Sequence, residues 1–117
     1  MAVGDLSPHF SRSEFDCHDG TKAAPTPELI AALERVRHLA GDHPLQIVSG
    51  FRTVAWNRRV GGAPNSQHLW NRAADIPYGR VSIAQAEAAG FTGIGFAGHW
   101  AVHLDVRPGQ RVVFPDS

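Results

Sequence analysis

The stretch NSQHLWNRAAD, residues 65–75, places an imidazole and a carboxylate seven residues apart, where the pattern turns apolar. His68 and Asp75 stand on either side of Leu69 and Trp70, and small residues precede the acid. Two interpretations fit: the pair belongs to a metal site, or a turn leads into a strand that ends on an aspartate. Because the chain has seven histidines, a chance pair is expected, and the spacing leaves both open.

A second polar pair occurs in VHLD, residues 102–105. Side chains alternate along a strand, so His103 faces away from the side that carries Val102 and Leu104. If that apolar pair faces the core, His103 and Asp105 line the opposite face together. They then either belong to a site or cover a solvated sheet face. A catalytic zinc ion needs about three protein ligands and one open position, so a third ligand beyond the first pair is what the chemistry requires.

Arg52 stands in SGFRT, residues 49–53, just after the end of a predicted strand. A loop at a strand end can aim a guanidinium into a cleft. There it is suited to hold a carboxylate, or a carbonyl oxygen that gains negative charge. The alternative is an exposed surface arginine.

The sequence predicts four helical segments, three of them from capping signals. These are a short helix opened by the capping box SRSE at residues 11–14, a long helix opened by Thr26 and Pro27 and stopped by Gly41, one or two turns at residues 53–60, and an alanine-rich helix opened by Ser82 and Gln85 and closed by Gly90.

Short apolar or alternating stretches predict the strands. These are LQIVSG (45–50), RAADIP (72–77), TGIGFA (92–97), WAVHLDV (100–106) and QRVVFP (110–115). Helices come mostly first and strands last, which predicts an α+β fold: a small, mostly antiparallel sheet carries the site, with the N-terminal helices packed on it. Gly93 and Gly95 are wrongly placed for a phosphate loop and predict close packing of strand backbone against the site.

Length and composition bound the function classes. The 117 residues predict one domain over residues 1–117. Lys+Arg and Asp+Glu balance at 11 each, so we expect no nucleic-acid and no membrane partner, and a monomer. The single cysteine, Cys17, excludes an internal disulfide. The start MAVGDLSPHF has neither a basic nor an apolar signal region, which predicts synthesis in the cytoplasm without a signal peptide.

Together these segments resemble a known family. The pattern SGFRT…NRRVGGAPNSQHLWNRAADI…GFTGIGF…VHLDVR, with LSPHFSRSEFDC near the start, is similar to the M15 zinc peptidases. The likeness is specifically to their small phage and bacterial branch, which cuts peptidoglycan stem peptides and has the LAS/hedgehog-type zinc fold. Its members include D-Ala-D-Ala carboxypeptidases and L-alanyl-D-glutamate endopeptidases. The resemblance covers nearly the whole chain.

The resemblance implies a role for each matching residue. His68, Asp75 and His103 fall on the positions of the three Zn²⁺ ligands. Arg52 falls on the arginine that polarises the scissile carbonyl, and Ser66 on a position near the substrate's terminus. In this chemistry zinc lowers the pKa of a bound water and polarises the carbonyl, while the arginine stabilises the oxyanion.

The general base is where the sequence departs from the family. Many members carry Glu or Asp three residues before the last ligand, and Trp100 occupies that position here. His99 is one candidate base, since its ordinary pKa suits the task. Asp105 is the other, although a carboxylate beside His103 also suits the orientation of a ligand imidazole. The sequence leaves the base open.

The resemblance implies that the chain is a zinc peptidase that hydrolyses peptidoglycan stem peptides, with the cell wall as the place of action. A phage endolysin or a particle-associated lytic domain fits a chain without a signal. The alternative is a non-catalytic zinc-containing module of the same fold that binds cell wall or a partner, which Trp100 favours. Retention of Arg52 favours the enzyme, because a structural metal site has no use for it. Carboxypeptidase and endopeptidase activity both remain open.

Overall fold

The computed structural model describes residues 4–116, and its longest helix is α1, Pro27–Leu39. Thr26 opens the helix by accepting a hydrogen bond from the backbone N of Leu29 at 3.3 Å, and Pro27 occupies the first turn. The helix buries its apolar face in the core, where Leu29, Leu33 and Val36 are fully buried. The chain leaves it at Gly41, whose φ of +107° suits glycine. The predicted long helix is confirmed.

Three shorter helical segments that the sequence predicts are also present. They are a 3-10 helix at Arg12–Phe15, α2 at Val54–Arg59 and α3 at Ile83–Ala88. In α3 the capping box is reciprocal: the Ser82 hydroxyl accepts from Gln85 N at 3.1 Å, and Ser82 N donates to Gln85 Oε1 at 2.9 Å. No helix among residues 4–116 is long and apolar enough to cross a membrane.

The sheet has four strands in the order β1-β3-β2-β4. They are β1 (Ala73–Asp75), β2 (Gly93–Ala97), β3 (Trp100–Asp105) and β4 (Val112–Pro115). β3 pairs antiparallel with both β1 and β2, whereas β4 pairs parallel with β2. The α+β class is confirmed, and the sheet is mixed rather than purely antiparallel. β2 and β4 both run antiparallel to β3. Because β4 lies beside β2 rather than beside β3, the pair that it forms is parallel.

The predicted strand at residues 45–50 is wrong. Only Ser49 makes a β-bridge, to Asp75, through hydrogen bonds of 2.8 Å from Val48 N to Asp75 O and from Asp75 N to Ser49 O. β1 is three residues long, so it offers the segment one pairing position rather than a ladder. The residues after Ser49 make other contacts. The Gly50 carbonyl oxygen accepts a hydrogen bond from the ring of His68, and Phe51 N donates to Phe15 O.

The hydrophobic core lies between the sheet, α1, α3 and the N-terminal segment. Its fully buried large side chains are Phe10, Phe15, Leu29, Leu33, Val36, Val81, Phe91, Ile94 and Leu104. This core covers one face of the sheet and leaves the other face for the site.

A bulge modifies the strand alternation that the sequence predicts. The register between β2 and β3 shifts after Gly95, which pairs with His103, because Val102 is an extra residue in β3. Ala101 and Leu104 are therefore both fully buried, while Val102 is only half-buried. The expectation that the core face carries the residues on either side of the histidine holds for Leu104 and is wrong for Val102.

Candidate metal centre

His68 is held in one orientation by its own segment. Ser66 caps the 3-10 helix Gln67–Trp70 by accepting from His68 N at 3.2 Å, which fixes the backbone of the histidine. The ring is buried, and its Nδ1 lies 2.6 Å from the carbonyl oxygen of Gly50. A carbonyl only accepts, so Nδ1 carries the proton and the lone pair is left on Nε2.

His103 is held in the opposite tautomer. It lies in β3, and its Nε2 is 2.7 Å from Oδ2 of Asp105, a carboxylate with no exposed surface. Nε2 therefore donates to the carboxylate and leaves Nδ1 as the free ligand atom. Sequence reasoning predicted that His103 and Asp105 lie together, and the structure confirms that contact.

Asp75 connects the two rings. It is the last residue of β1 and pairs directly with His103 across β1 and β3. Its Oδ1 lies 3.2 Å from Nε2 of His68 and 3.1 Å from Nδ1 of His103, so the three free ligand atoms face one another. The bridge between Asp75 and Ser49 holds the backbone of this strand end.

The three donors suit a zinc ion. One ligand atom from each of His68, Asp75 and His103 lies within 4.8 Å of the others, and within residues 4–116 this is the only such group of three or more His, Cys, Asp or Glu. A tetrahedral ion with bonds of about 2.0–2.2 Å places its ligand atoms roughly 3.3–3.6 Å apart. The 3.1 and 3.2 Å distances from Asp75 are close to that spacing. Two imidazoles and one carboxylate, with a fourth position left over, are a donor set typical of catalytic zinc.

The charges at the site favour a cation. Burial lowers the pKa of His103, but hydrogen bonds to Asp105 and Asp75 outweigh it and raise the pKa to about 9. Burial raises the pKa of Asp75, but its contacts with the rings of His103 and His68 outweigh burial and hold the pKa well below its ordinary value. The carboxylates thus stabilise a positive charge between them, which a divalent cation would supply in place of the imidazole proton.

Arg107 completes the support of Asp105, and sequence reasoning missed it. Its Nη2 and Nε donate to the two carboxylate oxygens at 2.6 and 2.9 Å, and its backbone N donates at 3.1 Å. Burial raises the pKa of Asp105, but the hydrogen bonds from Arg107 and His103 hold it well below its ordinary value. The signal available in the sequence was an arginine two residues after a strand-end aspartate, in HLDVR.

Arg52 reaches the site rather than the surface. Its Nη2 donates to Oδ2 of Asp75 at 3.2 Å and its Nη1 to Oδ1 of Asn57 at 3.3 Å, and the side chain is 17% exposed. Asn57 is buried and donates to the Ala63 carbonyl at 2.9 Å. Its side-chain amide is therefore held in place and in turn positions the guanidinium of Arg52. Asn57 is a further residue that sequence reasoning missed.

A cleft of about 580 Å³ opens in front of these groups. Its polar lining includes Arg52, Asn65, Ser66, Gln67, His68, Asp75, His103, Arg107 and Asp116. The structure therefore brings together the predicted residues Arg52, Ser66, His68, Asp75 and His103. Phe114 from β4 lines the cleft too, with its ring centroid 5.6 Å from that of His103.

Neither of the two residues that the sequence suggested as the base is free in the cleft: His99 lies outside it, and Asp105 is bound to His103 and Arg107. His99 is exposed in the two-residue turn between β2 and β3 and is not among the residues that line the cleft. Asp105 is fully buried beneath His103 and Arg107. Trp100 is half-buried on the same sheet face as His103, with its ring centroid 6.4 Å from that of Tyr78. The role of His99 as a base stays a prediction that its position does not favour.

Gly93 and Gly95 do pack backbone against the site, as predicted. Gly93 pairs with Asp105, and a Cβ at this position would collide with the carboxylate. A Cβ on Gly95 would lie 2.9 Å from Cβ of His103, closer than side chains tolerate. Both positions therefore require glycine for steric reasons.

Comparisons with known proteins identify the family of the chain. The family profile described as Peptidase M15 matches residues 8–105. Over 74 residues, 57% of this chain, the sequence is 45% identical to a protein of Streptomyces albus G named zinc D-Ala-D-Ala carboxypeptidase. The match covers 29% of that relative's length. The resemblance seen in the sequence is confirmed, and the chain belongs to the Peptidase M15 family.

Proposed function

We propose that the chain is a zinc-dependent peptidase that hydrolyses peptide bonds in the stem peptides of peptidoglycan. The observation that carries the proposal is the set of His68, Asp75 and His103 with their free ligand atoms facing one another, beside Arg52 in an open cleft. The peptidase family and the name of the Streptomyces relative support the same substrate class.

In this proposal His68 binds zinc through Nε2, His103 through Nδ1 and Asp75 through Oδ1. When bound, zinc activates a water molecule and polarises the substrate carbonyl. The protein orients the ligands through fixed acceptors: the Gly50 carbonyl for His68 and the Asp105 carboxylate for His103. Asp105 is thus a positioning residue, anchored in turn by Arg107.

Arg52 is the group that stabilises negative charge on the carbonyl oxygen as it develops. Its guanidinium lines the cleft and is held at one end by Asn57. Five N–H donors leave it able to bind a carbonyl oxygen while one still contacts Asp75. Ser66 lines the same cleft, and its hydroxyl proton remains available to donate to a substrate terminus, because the oxygen acts as an acceptor toward His68 N.

For the bond that is cut, removal of a C-terminal D-alanine is the first candidate, since the matched relative is a D-Ala-D-Ala carboxypeptidase by name. Cleavage inside the stem peptide, between L-alanine and D-glutamate, is the second. An endolysin or a particle-associated lytic domain is the biological setting we propose for either activity.

The experiment is digestion of purified peptidoglycan by the zinc-loaded protein, with mass spectrometry of the released products. Free D-alanine identifies the carboxypeptidase, whereas larger peptide fragments identify the endopeptidase. The Asp75→Ala variant is the control, since it removes a ligand. A zinc-loaded protein that sediments with peptidoglycan and releases nothing contradicts the enzyme and supports the binding module that Trp100 favours.

A further inference from the structure

The charged side chains that line the cleft are engaged with one another, with one exception. Asp75 faces both ligand histidines, and Arg107 is bound to Asp105. Arg52 contacts Asp75. The exception is Asp116, whose carboxylate oxygens accept no hydrogen bond from the part of the chain that the structure describes. Asp116 is exposed to solvent and lies beyond residue 105, where the family match ends.

The parallel strand β4 carries Asp116 to the site. Phe114 pairs with Gly95, and Asp116, two residues later, lies on the same face of the strand. Its backbone N donates to the Phe96 carbonyl at 2.8 Å, which continues the pairing of β4 with β2 past Pro115. The backbone of Asp116 is therefore positioned by the sheet.

Gly95 lets the carboxylate reach the neighbourhood of the ligands. A Cβ on Gly95 would lie 2.8 Å from Oδ2 of Asp116 and 2.9 Å from Cβ of His103. The two side chains thus stand on either side of the space that glycine leaves open. A larger residue at position 95 would push them apart.

We propose that Asp116 is the general base of the reaction, a proposal that rests on the zinc peptidase function above. Its carboxylate takes a proton from the attacking water as the water oxygen bonds to the carbonyl carbon. The proton then passes to the amide nitrogen as the C–N bond breaks, so an amine leaves and the carboxylate is regenerated. Asp116 would thus supply the carboxylate base that many family members carry three residues before the last ligand, where this chain has Trp100.

The test compares the zinc-loaded parent with Asp116→Asn, Asp116→Glu and Val113→Thr. Val113 is a matched control, because it is exposed in the same strand and its side chain alternates away from Phe114. We measure kcat and KM on the peptide that the parent cleaves, zinc content, and the affinity for acetohydroxamic acid. This compound binds zinc and gives up a proton to a nearby base, so its affinity does not depend on turnover.

We expect Asp116→Asn to keep its zinc and to lose about 10²–10⁴-fold in kcat, with KM within about threefold of the parent. Its affinity for acetohydroxamic acid should fall by about tenfold or more, because a hydrogen bond to a charged group is lost. Asp116→Glu should recover part of both, and Val113→Thr should match the parent.

Unchanged kcat and hydroxamate affinity in Asp116→Asn would overturn the proposal while leaving the peptidase function intact. Loss of zinc from Asp116→Asn would overturn it too, since Asp116 would then support the metal ligands instead. A zinc-loaded parent that cleaves no stem peptide overturns both the function and this assignment.

Discussion

The carboxylate of Asp105 occupies the space in which a side chain on Gly93 would begin, because the two residues pair directly across β2 and β3. Gly93→Ala should displace the carboxylate that orients His103. We expect zinc affinity to fall about 10–100-fold, the usual effect of losing a residue that supports a metal ligand. Competition against a chromogenic chelator measures it.

Gly79→Ala is the matched control for that variant. Gly79 has a φ of +86° and open space around it, so alanine there strains the backbone without touching the site. It should lower stability and leave zinc affinity unchanged. Equal zinc affinity in Gly93→Ala and the parent would mean that Asp105 does not need this space.

His68→Ala should lose most of its zinc. The variant removes one of three ligands, so affinity should fall well beyond the about 10–100-fold effect of a supporting residue. Metal analysis after dialysis against a weak chelator measures the loss. His38→Ala is the control, because the His38 side chain is 76% exposed and lies away from the site. Full stoichiometric zinc in His68→Ala would refute the ligand assignment.

Arg52→Ala should keep zinc and lose about 10²–10³-fold in kcat, the typical effect of removing an oxyanion donor. Arg52→Lys should recover little, since an ammonium group cannot replace the planar guanidinium that spans Asp75 and Asn57. Arg58→Ala, exposed on α2, the helix that follows Arg52, controls for the loss of a positive charge. A fall of less than about threefold in Arg52→Ala would exclude a transition-state role.

Glu34 on α1 anchors the N-terminal segment, with Oε2 accepting from Ser7 Oγ at 2.6 Å and His9 N at 2.9 Å. Partial burial raises the pKa of Glu34, but the hydrogen bonds from Ser7 and His9 outweigh it and hold the pKa below its ordinary value. Glu34→Gln should therefore lower the free energy of unfolding by about 1 kcal/mol at pH 7.

The pH dependence of that difference has a definite sign. A lowered carboxyl pKa stabilises the fold above the ordinary value of about 4.3, and the contribution is lost as the pH falls through the lowered pKa. The difference between parent and Glu34→Gln should thus shrink on acidification, as denaturant titrations at several pH values will measure. Glu28→Gln, exposed in the first turn of the same helix, is the control and should lower the free energy of unfolding at pH 7 by less. A difference that grows on acidification would contradict the assignment.

Asn71 ends the 3-10 helix of His68 in the left-handed region, with a φ of +55°. Its amide N and O are buried and have no hydrogen-bond partner among residues 4–116. Glycine adopts this backbone freely and removes the unpaired amide, which costs about 1–3 kcal/mol when buried. Asn71→Gly should be as stable as the parent or up to about 2 kcal/mol more stable.

Asn71→Ala is the control for this position. Alanine also removes the amide but pays about 1–2 kcal/mol for the left-handed conformation, so it should be less stable than Asn71→Gly. Thermal or denaturant unfolding of the three proteins measures the order. A large loss of stability in Asn71→Gly would mean that the amide makes a bond within the fold.

The sequence predicted the helices well because their signals are local. Thr26 and Ser82 each accept a hydrogen bond from a backbone N–H three residues ahead, so the pattern and its consequence lie in the same few residues. The ligands were predicted through the resemblance, and the spacing alone left them open. The prediction for residues 45–50 was wrong because a β-branched segment forms a strand only where it has a partner strand. β1, with three residues, is too short to be that partner.

The residues that sequence reasoning missed act through contacts that depend on tertiary structure. Asn57 supports Arg52 only because the loop after α2 folds back onto it. Asp116 lines the cleft only because β4 pairs in parallel with β2. The sequence of a short strand after a turn does not indicate which strand it will pair with. The bulge at Val102 likewise arises from the pairing of two strands.

The placement of β4 matters for how members of this family are cut into fragments and compared. The family profile matches residues 8–105. One side of the cleft is formed by Phe114 and Asp116, which belong to β4 and the residue after it and lie outside that match. A fragment trimmed at the profile's edge keeps all three ligand side chains and opens the cleft on one side. The shape of the cleft in this chain thus depends partly on a segment that the profile does not cover.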